Sequence, residues 1–76
     1  MIRILLSTRL GERRWTQADL ARATGIRPAT INELYHEMAE KISFEQLEKI
    51  CVALDCHIED ILQLEPNGQV SYKQHR

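Results

Sequence analysis

Thr16-Gln17-Ala18-Asp19-Leu20-Ala21-Arg22-Ala23-Thr24-Gly25-Ile26-Arg27-Pro28-Ala29-Thr30-Ile31-Asn32-Glu33-Leu34 is the stretch of this 76-residue chain whose reading decides the fold. Thr16 is a good helix N-cap, since its hydroxyl can accept an N–H of the first turn, and Asp19 three residues on completes a near capping box. Leu20 and Ala21 supply an apolar face, and Ala21 is small enough for a second helix to come close. Gly25 stands where a helix must end and the chain turn, a place that often requires positive φ. Pro28 suits the first turn of a following helix, where a missing N–H costs nothing. Ile31 and Leu34 repeat at helical spacing and face inward, which leaves Ala29, Thr30, Asn32, Glu33 and His36 facing outward. The spacing predicts two short helices, about 17–24 and 28–36, joined by a tight turn.

The pattern extends in both directions. Leu6 and Leu10, one turn apart, predict a first helix over about 5–13, with Trp15 packing just beyond its end. Before it, Ile2-Arg3-Ile4 alternates and reads as a short strand or a frayed helix start. Residues 37–43 form a linker ending at Ser43, the next N-cap. A fourth helix over about 44–54 is the best patterned, with Phe44, Leu47, Ile50, Cys51 and Leu54 on one stripe. A short fifth helix, about 58–63, presents Ile58, Ile61 and Leu62. Pro66-Asn67-Gly68 is a turn signal, and Gln69-Val70-Ser71-Tyr72 then alternates. That segment reads as a tail, or as a strand that would need Leu62–Glu65, Ile2–Ile4 or a second subunit to pair with. The expected fold is all-α: five helices in one domain over 1–65, minor β-strands at the termini, and a tail or short strand over 66–76.

Size and composition exclude several classes. A single domain of this length buries only roughly 60–65% of its chain surface, which leaves little room for a core and a deep catalytic cleft together. No apolar run approaches the ~20 residues of a membrane span, and Met1 to Leu6 is too short for a signal peptide, so the expected home is the cytoplasm. Two cysteines make no disulfide framework. Cys51 falls in phase with the core stripe, and Cys51-x4-Cys56-His57 lacks a fourth ligand for a metal. His36, His57 and His75 are scattered, and there is no nucleophile–base constellation or glycine-rich phosphate loop. Neither catalysis nor a cofactor is expected. The formal net charge is −1, yet residues 1–27 carry six arginines against two acids, while residues 28–65 carry two lysines against nine acids. A basic N-terminal half beside an acidic C-terminal half fits a molecule with one nucleic-acid face.

The spacing Thr-Gln-x-x-Leu-Ala-x-x-Thr-Gly-Ile-x-x-x-Thr-Ile-x-x-Leu over residues 16–34 resembles the Cro and phage-repressor type of helix-turn-helix domain. Ile42 to Cys56 and then Asp60-Ile61-Leu62 look like that family's last two helices, so the resemblance covers about residues 4–64. It implies a five-helix repressor-like fold and a sequence-specific regulator of transcription bound to double-stranded DNA, and it implies that Gln17 meets the DNA backbone. Arg27, before Pro28, sits at the tip of the recognition helix, within reach of a phosphate or a guanine edge. Ala29 and Thr30 can offer methyl groups to thymine, Asn32 can donate and accept, and Glu33 can accept from a cytosine amino group. The chain departs from the family pattern at Arg14, where a glycine is usual. It departs again at Glu37-Met38-Ala39-Glu40-Lys41, where a glycine and basic residues often follow the third helix. Lys41 remains as the phosphate partner there. One recognition helix reads too few base pairs to find a site in a genome, so a homodimer on paired half-sites is expected. No small-molecule ligand is evident. The alternative is a protein-interaction module or antitoxin with weak or no DNA binding, favoured by the acidic C-terminal half.

Overall fold

Short helices stand or fall by how their end groups are satisfied, and this chain satisfies them with its own side chains and turns. The computed structural model describes residues 1–66 as β1 (Ile2–Ile4), α1 (Leu6–Arg13), α2 (Gln17–Thr24), α3 (Pro28–Tyr35), α4 (Phe44–Leu54), α5 (Ile58–Ile61) and β2 (Leu62–Leu64). Thr16 Oγ1 accepts the Asp19 N–H at 3.1 Å and the Asp19 carboxylate accepts the Thr16 N–H at 2.8 Å, a complete capping box. Ser43 and Gln46 repeat the device for α4, at 3.0 and 3.2 Å. The Asp60 carboxylate accepts the His57 N–H at the start of α5.

The helix exits share a second device. Arg14, Gly25, Glu37 and Asp55 all have φ between 52° and 75°, and only one of them is glycine. After α1, α3 and α4 the chain closes a paired turn in which one N–H reaches back five positions and the N–H just before it reaches back three. Trp15 N–H bonds Leu10 O and Arg14 N–H bonds Gly11 O; Met38 and Glu37 do the same to Glu33 and Leu34, and Cys56 and Asp55 to Cys51 and Val52. Between α2 and α3, the buried Thr24 hydroxyl donates to Leu20 O at 2.8 Å and accepts the Ile26 N–H at 3.2 Å.

All five helices converge on one core. Leu6, Leu10, Leu20, Ile31, Leu34, Ile50, Leu54 and Ile61 are almost wholly buried, with Ile26 and Leu47 closing the edges and Trp15 packed alongside. The all-α reading is correct, with a small two-stranded sheet added. β1 pairs antiparallel with β2 in the register Ile2↔Leu64, Arg3↔Gln63, Ile4↔Leu62. Met1 and Glu65 extend the ladder with two further bonds. The alternation at residues 2–4 is therefore a strand, and its partner follows α5 directly. Residues 67–76, including the Gln69–Tyr72 strand candidate, lie outside the described residues.

Four expectations need correction. Phe44 does not join the core stripe: it is 90% exposed. It is the first residue of α4, and at ~100° per residue it lies roughly 80° from the direction shared by Leu47, Ile50 and Leu54. Ile58, expected inward, is 57% exposed. Leu62 belongs to β2, because α5 is a single turn that ends at Ile61. Cys51 is half-buried rather than fully enclosed.

Glu37, in the acidic linker, occupies the left-handed exit of α3 with φ 58°. Its carboxylate accepts Arg3 Nε at 2.8 Å, Arg3 Nη2 at 2.9 Å and the Ile4 N–H at 3.1 Å. The hydrogen bond from the Arg3 side chain, then that from Ile4, hold the Glu37 carboxyl down at about 2, and the same contact pushes the Arg3 guanidinium up.

Two outcomes are expected. Leu47→Ala, which truncates a buried side chain, should cost about 2–5 kcal/mol, whereas Phe44→Ala should change stability by no more than about 0.5 kcal/mol; urea unfolding of both checks the core assignment. Glu37 is depressed in the folded state, so its stabilisation is present above the ordinary carboxylate range and is lost as pH falls. The stability gap between the parent and Glu37→Gln should therefore be full above about pH 5 and close near pH 2, read by urea titrations across pH.

Candidate nucleic-acid interface

The outward face of α3 is built from its start. Arg27 is its N-cap with φ −59° and ψ 139°, the extended conformation that a following proline imposes, and Pro28 is the first helical residue. Ile31 and Leu34 anchor the helix in the core. Ala29, Asn32 and Glu33 are exposed on the opposite side, and Thr30 is half-buried beside the start of α4.

Thr30 stands where two open grooves meet. One is lined by Gly25, Ile26, Arg27, Thr30, Ser43, Glu45, Gln46 and Lys49, and the other by Thr30, Glu33, Lys41, Ile42, Ser43 and Gln46. Arg27, Thr30, Glu33 and Lys41 of the sequence reading thus share one surface. Ser43, Gln46 and Lys49 join them, and the sequence reading missed all three. The signal was present, since Ser43 and Gln46 begin a helix whose N-terminal dipole end favours anions. What was not legible was that α4 starts against the exposed flank of α3. The Gln46 carbonyl oxygen is engaged with the Ser43 N–H, which leaves its amide N–H groups as donors. Gln17 is placed elsewhere, as the half-buried first residue of α2. At that helix end hydrogen bonds from the Thr16 backbone and hydroxyl hold the Asp19 carboxyl below its usual range, and Arg22 pairs with it.

The segregated charge of the sequence largely cancels on folding. Arg3 pairs with Glu37 and approaches Glu65 at 3.6 Å; Arg9 lies 3.5 Å from Glu12 and 3.9 Å from Asp60. Arg13 also faces Glu12, and Lys49 pairs with Glu45 at 3.2 Å. Among the described residues, Arg14, Arg27 and Lys41 are the arginines and lysines without an ion-pair partner. Two of these three flank Thr30, on the face that also carries Glu33, an acid without an ion-pair partner among the described residues. His36 closes α3 and sits edge-on to Tyr35 with ring centroids 5.0 Å apart.

Other chemistry is weakly represented. Burial pushes both the Cys51 and Cys56 thiols up, which disfavours the thiolate. Among the described residues, no three His, Cys, Asp or Glu side chains converge where a metal ion could bind. No helix among them is long and apolar enough to cross a membrane.

Comparison with known proteins agrees with this geometry. No curated protein matches the chain significantly. A family model described as the Cro/C1-type HTH DNA-binding domain matches residues 6–67, a span that takes in all five helices. The chain belongs to the Cro/C1-type helix-turn-helix DNA-binding family.

Proposed function

We propose that this protein is a sequence-specific regulator of transcription that reads the DNA major groove with α3, bound as a homodimer to paired half-sites. One observation carries the reading: the face of α3 that is left out of the core is bracketed by Arg27 and Lys41, two of the three unpaired cations among the described residues. A helix of this size fits the major groove, and cations at its flanks meet the phosphates on either side. Arg27 contacts a phosphate or a guanine edge. Ala29 and Thr30 present methyl groups, and Asn32 and Glu33 present polar groups to base edges. Lys41 and the start of α4 receive a phosphate, while Gln17 at the head of α2 receives another. Dimerisation multiplies the sequence read by two. Such a protein works in the cytoplasm beside the chromosome, needs no cofactor and performs no catalysis.

Selection of bound duplexes from a random pool, followed by titration against salt, tests the reading. A DNA-binding regulator loses affinity steeply as salt rises, because bound phosphates release counterions. Absence of saturable binding at any salt would favour the interaction-module alternative, which the extensive cancellation of the arginines supports.

Two variants separate the roles on the surface. Arg27→Ala should weaken binding and, where Arg27 reads guanine, cut discrimination at one position by about 1–3 kcal/mol, measured by competition between the selected duplex and single-position variants. Lys41→Ala should weaken binding evenly across sequences and reduce the salt slope by about one.

A further inference from the structure

The C-terminal end of α3 is held in a way its sequence neighbours do not explain. His36, Met38, Glu40 and Lys41 are exposed, and Ala39 and Ile42 are only partly buried against the core, so the apolar anchor of the segment that leaves the helix is partial. Glu37 sits among them in the left-handed region, where glycine is favoured and a side chain is strained. Glycine there would complete the turn with no further contact. Glu37 instead spends both carboxylate oxygens on β1, 33 and 34 residues away in the chain. β1 is itself laddered to β2 and bonded through the Leu5 N–H to Ile61 O.

We propose that Glu37 is a positioning residue for DNA reading: its three bonds to Arg3 and Ile4 tie the far end of α3 to the β1–β2 ribbon and fix the angle of its exposed face. This rests on α3 being the DNA-reading helix. The other end of α3 is already fixed by the Thr24–Ile26 turn and its inner face by Ile31 and Leu34, so the tether adds a directional restraint at the exit that sets the fine tilt of the outward face. A planar guanidinium gripping both carboxylate oxygens restricts direction as well as distance, which a lysine or a single hydrogen bond would not. The same contact points the Glu37 charge into β1 and neutralises it, so the acidic linker offers one carboxylate fewer to the phosphates.

Glu37→Gly, Glu37→Gln and Arg3→Lys test this in the full chain. Glu37→Gly relieves the strained φ and removes the tether, Glu37→Gln keeps the length without the charge, and Arg3→Lys keeps the charge without the two-pronged grip. For each variant, affinity for the selected duplex and for a random duplex is measured, with urea stability alongside. Glu37→Gly should lose about tenfold in the specific-to-random ratio, the size of one lost base contact, while random-duplex binding and its salt slope hold. The other two variants should fall between it and the parent. A ratio unchanged in Glu37→Gly, with any loss confined to stability, would overturn the proposal. Failure of the underlying DNA reading looks different: the parent itself binds no duplex. The tether is then judged in free protein by amide exchange of His36 and Met38. It should quicken in Glu37→Gly relative to core amides, and equal exchange overturns the tether as well.

Discussion

Three of the five helices here are only eight residues long, and that length imposes the constraint on which the structure depends. Each α-helix leaves four N–H and four C=O groups without partners inside it, so a helix of this length has about twice as many orphaned groups as internal bonds. Such helices do not persist on propensity alone. The chain answers with capping boxes at Thr16 and Ser43, and with back-bonded turns after Arg13, Tyr35 and Leu54. With most of these ends satisfied locally, the one core of leucines and isoleucines holds the helices together. The tight corner between α2 and α3 follows from the same accounting, since Thr24 settles both a carbonyl and an amide there.

Charge is organised by the fold rather than by the run of the sequence. A basic first third and an acidic remainder suggest a polarised molecule with one broadly positive face. In the folded chain the two halves meet, and Arg3 and Arg9 find carboxylates from distant segments. Two of the cations left without a partner among the described residues are placed at the ends of one helix: Arg27 at the head of α3 and Lys41 beyond its tail. Placed charge of this kind supports register on DNA more than bulk attraction to it, which suits a chain whose net charge is near zero.

The linker after α3 shows how a local departure from a family pattern is compensated at long range. A glutamate where glycine is favoured is strained in its backbone conformation and adds a negative charge at the exit of α3. Both features acquire a purpose once Arg3 and the Ile4 amide are beside it. The N-terminal strand is thereby part of the architecture that holds α3, although nothing in its own sequence links it to residue 37.

The sequence by itself determined the elements governed by local chemistry. The N-caps at Thr16 and Ser43, the glycine turn at Gly25, the proline start of α3 and the stripe of Leu47, Ile50 and Leu54 all act within one or two turns of chain, where residue type nearly dictates conformation. The family, the core of α2 and α3 and the outward face of α3 were legible for that reason. The tertiary structure decided everything that depends on what lies opposite. Phe44 and Ile58 have helical spacing fit for a core, yet among the described residues both stand mostly exposed at the first turns of α4 and α5. Leu62 left its helix because β1 offered unpaired backbone groups. Ser43, Gln46 and Lys49 became part of the candidate interface because α4 begins against α3, and the Arg3–Glu37 tether exists because the ribbon passes the α3 exit. Contacts between residues more than thirty positions apart carry no periodic signal, so only the assembled fold could reveal them.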